Sequence, residues 1–120
     1  MTLVRHPKQL TPDLIRQALP LDDILGVFED GWSQANVREI LERLTGSSVI
    51  VLGSEVIVRD GPKMSYTGDN WNYDPVLSLY RSENASRSYA RALEYLDRYP
   101  DPNDGSILWV LVFDDDSAKL

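Results

Sequence analysis

The sequence predicts an α+β fold: one domain in which an antiparallel or mixed sheet of about four strands packs against two main helices. Three observations carry this. Two segments, "SQANVREILERLTG" and "SRSYARALEYLDRY", place apolar residues at the i, i+3, i+4, i+7 spacing of amphipathic helices. Between them lie short β-branched runs, "SVIVLG" and "EVIVR". Near the end, "SILWVLVF" is an unbroken apolar run of strand length, as a strand covered on both faces requires.

A chain of 120 residues is the size of one domain and buries roughly two-thirds of its unfolded surface. No repeat, low-complexity tract or linker divides it. The opening "MTLVRHPKQL" lacks the apolar core and cleavage site of a secretion signal. Residues 1–10 and 114–120 read as loose ends, the latter because "DDDSAKL" is too polar to pack.

Each element follows from local signals. Thr11-Pro12 is an N-cap followed by proline at the first helical position, starting a short helix to about Leu19 that Pro20 ends. "LPLDDILGVFEDG" mixes acidic caps with Gly26 and Gly31 and reads as loop with a turn or strand. In the next helix Val37, Ile40, Leu41 and Leu44 form the buried face; Ser33 or Asn36 caps it, and Gly46 occupies the left-handed C′ position. Gly53-Ser54 reads as a two-residue hairpin turn between the β-branched runs. A second break at 59–62 leads into an extended run from Lys63 to Tyr73, which makes a three-segment meander. The second main helix begins near Ser82 or Asn84, with Tyr89, Ala92, Leu93, Leu96 and Tyr99 as its apolar stripe, and "YPDPNDG" ends it. If the last run is central, it pairs with an earlier strand after a crossover.

The chemistry is sparse. With no cysteine there is no disulfide framework and no thiolate metal site. No stretch approaches the ~18 consecutive apolar residues of a membrane helix. The one histidine, His6, has no partner in sequence for a metal site or a triad and reads as an incidental surface residue. There is no phosphate loop, and "DPNDG" lacks the glutamate and flanking helices of a calcium loop. No cofactor is expected. A net charge of −7 and a pI near 4.5 argue against direct nucleic-acid binding, which depends on lysine and arginine, and favour a basic partner. A cytoplasmic protein fits these features.

"YTGDNWNYD", residues 66–74, is the most informative stretch, with Tyr66, Trp71 and Tyr73 interleaved with Asp69, Asn70, Asn72 and Asp74. Taken with its surroundings it carries a resemblance. "REILERLTGSSVIVLGSEVIV", "YTGDNWNYDP", "SRSYARALEYLDRY" and "ILWVLVF", in that order over about residues 32–113, resemble the immunity protein 40 family of bacterial polymorphic toxin systems. Gly53-Ser54-Glu55-Val56 stands where that family has a Gly-Gly-Asp-Val-like turn, with Ser54 departing from the second glycine. Asp69-Asn70-Trp71 stands on its Asp-Asn-Trp motif, and Tyr73 follows two residues on.

The resemblance implies a binding protein without catalysis of its own, which neutralises a cognate toxin by occluding it. The acidity points to a toxin with a basic surface, such as a nuclease. Glu55, Asp69, Trp71, Tyr73 and Asp74 are the candidate partner-binding residues: tryptophan and tyrosine are the types enriched at hot spots, and the acids would pair with lysine or arginine. Trp71, within the strand-like run, also reads as a core residue. A second candidate surface is the acidic set Asp97, Asp101, Asp104, Asp114, Asp115 and Asp116. The rival reading is a small hydrolase or ligand-binding domain with Tyr66–Asp74 as pocket floor; a third is a regulatory adaptor. Oligomeric state is not legible.

Overall fold

The computed structural model describes residues 1–116. Among the described residues six strands and four helices follow in order: β1 (Leu3–Val4), α1 (Pro12–Arg16), β2 (Leu19–Pro20), α2 (Asp22–Leu25), β3 (Asp30–Gly31), α3 (Gln34–Leu44), β4 (Ile50–Asp60), β5 (Lys63–Asn72), α4 (Arg81–Arg98) and β6 (Ile107–Asp114). The main sheet has the order β1-β6-β4-β5, and every pairing is antiparallel. The α+β expectation therefore holds in its antiparallel form. β2 and β3 form a separate two-stranded ribbon, tied to the sheet where Trp32 and Trp109 exchange both backbone hydrogen bonds.

α1 and α3 start on the expected caps: Thr11 Oγ1 accepts from the Leu14 N–H at 3.2 Å, and Ser33 Oγ, rather than Asn36, accepts from the Asn36 N–H at 3.1 Å. Val37, Ile40, Leu41 and Leu44 are all buried. In α4 the buried face is Ala85, Ser88, Tyr89, Ala92 and Leu96, while Leu93 turns outward. Three small residues on that face bring the helix close enough to β4 for Ser88 Oγ to accept the buried Val51 N–H at 3.0 Å.

One expectation is corrected and another is met within a residue. Gly53-Ser54 is not a turn: β4 runs unbroken through it, and the hairpin closes at Gly61-Pro62 instead. Gly53 serves closeness rather than reversal, because a Cβ there would stand 2.6 Å from the Trp71 carbonyl oxygen on β5. Ser54, buried in mid-strand, carries no positive-φ strain. Helix α4 begins at Arg81, ahead of Ser82 and Asn84, with a Tyr80 cap that makes no side-chain bond. Asn84 is committed elsewhere: its amide closes the preceding loop by bonding Val76 N–H and C=O at 2.8 and 3.0 Å.

The first ten residues are also not loose. β1 pairs with the end of β6, Leu10 is buried, and Arg5 is locked to both carboxylates of Asp22 and Asp30 at 2.7 Å. At the other end Asp114 is buried and held by Arg81 at 3.2 Å. Residues 117–120 of the expected loose tail lie outside the described residues.

Alternation along β6 divides the core. Trp109, Leu111 and Phe113 face α3 and α4 in the main core, whereas Leu108 and Val110 face the other way, joining Ile57 and Leu21 in a second, smaller core. Leu19, Leu25, Val27 and Met64 pack on this second core. One sheet face is thus covered by the two main helices, and the other is covered at one end by the β2–β3 segment.

Candidate functional site

The uncovered remainder of that second face is the candidate site. Directly opposed residues share a face in an antiparallel pair, so the register assigns its floor. Gly53 lies opposite Asn72 on β5 and Val112 on β6; Glu55 lies opposite Asn70 and Val110; Ile57 lies opposite Tyr66 and Leu108. In the Ile57 row, Ile57 and Leu108 are buried under the small ribbon while Tyr66 stays exposed at the β5 end. The Gly53 and Glu55 rows present Val112, Glu55, Asn70 and Asn72 on a floor made shallow by the missing Gly53 side chain.

Three depressions, of about 320, 450 and 350 Å³, run together over this floor. Glu29 borders the first and second, Val112 the first and third, and Glu55 and Asn70 the second and third. Through these shared residues the three adjoin in a series from Leu3 and Phe28 at the β1 edge, where Trp32, Leu111 and Phe113 also border the first, to Tyr66 and Gly68 on β5.

The electrostatics of this surface are one-sided. Burial, and then the charge of Glu55, push the Glu29 carboxyl above the ordinary carboxylate range, with Arg5 pulling weakly the other way. The Tyr66 hydroxyl is raised by burial and then by both glutamates. Among the described residues neither Glu29 nor Glu55 forms a salt bridge. Arg5 is committed: the hydrogen bonds it donates to Asp30 and then to Asp22 raise its pKa further, and its guanidinium carbon stands 4.3 Å from the centre of the Phe28 ring. His6 is not incidental either. Its Nε2 meets Asp30 Oδ2, and its ring meets Trp32 edge-on at 6.5 Å. The cluster Arg5, His6, Asp22 and Asp30 anchors the N-terminal segment beneath Phe28.

The five residues singled out from sequence do not form one patch. Glu55 lies on the open floor. Asp69 sits in a bulge of β5, exposed, its Oδ2 accepting from the Tyr99 hydroxyl at 2.8 Å near the end of α4. Trp71 is 3% exposed and belongs to the main core, which removes it from any contact surface. Tyr73 packs on the same core, its hydroxyl donating to Asn84 Oδ1 at 2.7 Å. Asp74 is exposed in the loop after β5. Residues i and i+2 share a face of a strand, so Trp71 and Tyr73 go under the helices while Asn70 and Asn72 look outward. Tyr66–Asp74 therefore cannot be a single pocket floor.

The acidic set near the C-terminus is largely engaged in structure as well. Asp97 pairs with Arg38 at 2.6 Å, and Asp101 accepts from Trp109 Nε1 and the Asn103 N–H. Asp104 accepts from the Ser106 side chain and then from its N–H, which together lower its pKa. Asp114 and Asp116 hold Arg81. Sequence reading missed Phe28, Glu29, Asn70, Asn72 and Val112; the alternation of Asn70 and Asn72 with Trp71 and Tyr73 was the one local signal for any of them.

Among the described residues no group of three or more histidines and acids is placed to hold a metal ion, and no helix is long and apolar enough to cross a membrane. The sequence model of the immunity protein 40 family matches residues 20–113, most of the chain, and the chain belongs to that family. The match begins at Pro20, so it takes in α2, β3 and the Phe28–Glu29 wall that the motif comparison over residues 32–113 had left out. No curated protein and no solved structure matches the chain.

Proposed function

We propose, from its membership of the immunity protein 40 family, that this chain binds a cognate toxin in the cytoplasm and neutralises it by occlusion, without catalysis of its own. The family match over residues 20–113 carries the reading. The geometry supports it: the most developed surface is broad, shallow and acidic, suited to covering another protein. A net charge of −7 complements the cationic surface with which a nuclease holds its substrate, and a nuclease toxin is the partner proposed.

Growth rescue tests this. The chain is co-expressed with the protein encoded immediately upstream, and the purified pair is titrated by calorimetry. Protection together with a one-to-one nanomolar complex, about −12 kcal/mol, is the expected result. Unrelieved toxicity and no heat of binding would remove the proposal. Raising salt from 50 to 500 mM is expected to slow association more than it speeds dissociation, since steering by net charge is screened.

A further inference from the structure

We propose that the toxin docks on the uncovered half of the sheet, placing a lysine or arginine over Glu29 and Glu55 and an apolar side chain beside Phe28 and Val112. This rests on the immunity reading above and names the surface and the partner chemistry that reading leaves open.

Continuity is the first argument. Separate depressions on a small domain are ordinary, but here three adjoin through shared lining residues, two over the open face and the first at the β6 edge, where Trp32, Leu111 and Phe113 also border it. Composition is the second. At the β1 edge the surface is apolar, with Leu3 61% and Phe28 75% exposed beside Val112. Toward β5 it is acidic and amide-lined, with Glu29, Glu55, Asn70 and Asn72. An interface with an apolar anchor beside charged groups that exclude water around it has the make-up of a hot-spot region.

Preorganisation is the third argument. Phe28 is exposed yet not free: Arg5 lies on its ring, and Arg5 is in turn fixed by Asp22 and Asp30. An aromatic side chain held in place before binding loses little entropy on contact. Glu29, half-buried beside Glu55 and with its carboxyl pushed upward by burial and then by that charge, is relieved by an incoming cation. The same charge disfavours a second copy of this chain, because a two-fold contact through this face would bring two acidic surfaces together. Nucleic acid is disfavoured for the same reason.

The test uses the full chain and the protein encoded immediately upstream, by calorimetry and growth rescue. Glu55→Lys and Phe28→Ala are the surface variants, Glu55→Gln is a milder form of the first, and Arg87→Glu on the outer side of α4 is the control. Thermal melts establish that each variant is folded; Glu55 and Phe28 are both exposed, so little change is expected. Glu55→Lys is expected to weaken binding at least ~30-fold, Phe28→Ala about 10-fold or more, and Arg87→Glu less than about 3-fold. A wild-type complex that Glu55→Lys, Glu55→Gln and Phe28→Ala leave unchanged would overturn the docking surface and leave the immunity reading standing. Loss on Tyr80→Ala with none on Phe28→Ala would move the interface to the β5–α4 loop. Absence of any wild-type complex would overturn both.

Discussion

Tyr73 and Asn84 are joined across the boundary between sheet and helix: the Tyr73 hydroxyl donates to Asn84 Oδ1 at 2.7 Å. The same oxygen accepts the Val76 N–H at 2.8 Å, and the Asn84 NH2 donates back to Val76 C=O at 3.0 Å. One nearly buried amide thus holds the end of β5, the loop beyond it and the first turn of α4. Tyr73→Phe is expected to lose one hydrogen bond, about 1 kcal/mol, and Asn84→Ala about 2–4 kcal/mol because several buried groups lose their partner. Urea unfolding measures both. Toxin affinity of the folded variants should be unchanged; a tenfold loss in Tyr73→Phe would return that residue to the interface.

Gly53→Ala is expected to destabilise by about 1–3 kcal/mol, since the new methyl would stand 2.6 Å from a backbone oxygen that no side-chain rotation can move. The strain separates β4 from β5, so hydrogen exchange should rise first at Gly53–Glu55 and Asn70–Asn72. Uniform exchange with no loss of stability would contradict the close approach.

Glu29 has a folded-state pKa above its ordinary value. Its ionisation therefore opposes folding at neutral pH, and the penalty disappears as pH falls through the raised pKa toward the ordinary value of about 4.3. Glu29→Gln is expected to raise the melting temperature at pH 7 and leave it nearly unchanged at pH 4. A fall at pH 7 would mean that the attraction of Arg5 outweighs burial and Glu55.

Asp30 is buried and receives both Arg5 and His6. Asp30→Ala leaves a largely covered guanidinium without its principal partner and is expected to cost about 3 kcal/mol, with little dependence on salt. Because Arg5 also steadies Phe28, the same variant should bind the toxin more weakly at temperatures where it remains folded. Calorimetry at 15 °C separates the two effects.

Helical periodicity made α3 and α4 legible, and an unbroken apolar run made β6 legible, because each signal is local. Gly53 was misread because a glycine that reverses a chain and one that lets a neighbouring strand approach look alike from within ten residues. Only the Trp71 carbonyl, eighteen residues away in sequence by numbering, distinguishes them. The N-terminal segment was misread for the same reason: Asp22, Asp30 and Phe113, which hold it, are remote. The site was half legible. Strand alternation alone separates Asn70 and Asn72 from Trp71 and Tyr73, but Glu29 and Phe28 join them only through the tertiary placement of the β2–β3 segment.

The bulge in β5 has a consequence for life before the toxin arrives. Between the Glu55–Asn70 and Ile57–Tyr66 pairs, Thr67, Gly68 and Asp69 face the single residue Val56. Gly68 takes a φ of 88°, and Thr67 Oγ1 donates to Val56 C=O at 3.2 Å. β5 is the outer strand of the sheet, with a row of backbone groups that another chain could otherwise copy. The break interrupts that row in the middle and twists it away from a straight template. An antidote has to be stockpiled ahead of the poison, at concentrations where self-templating would deplete it. On the proposed reading, this kink makes the outer edge a poor template for a second copy during that wait.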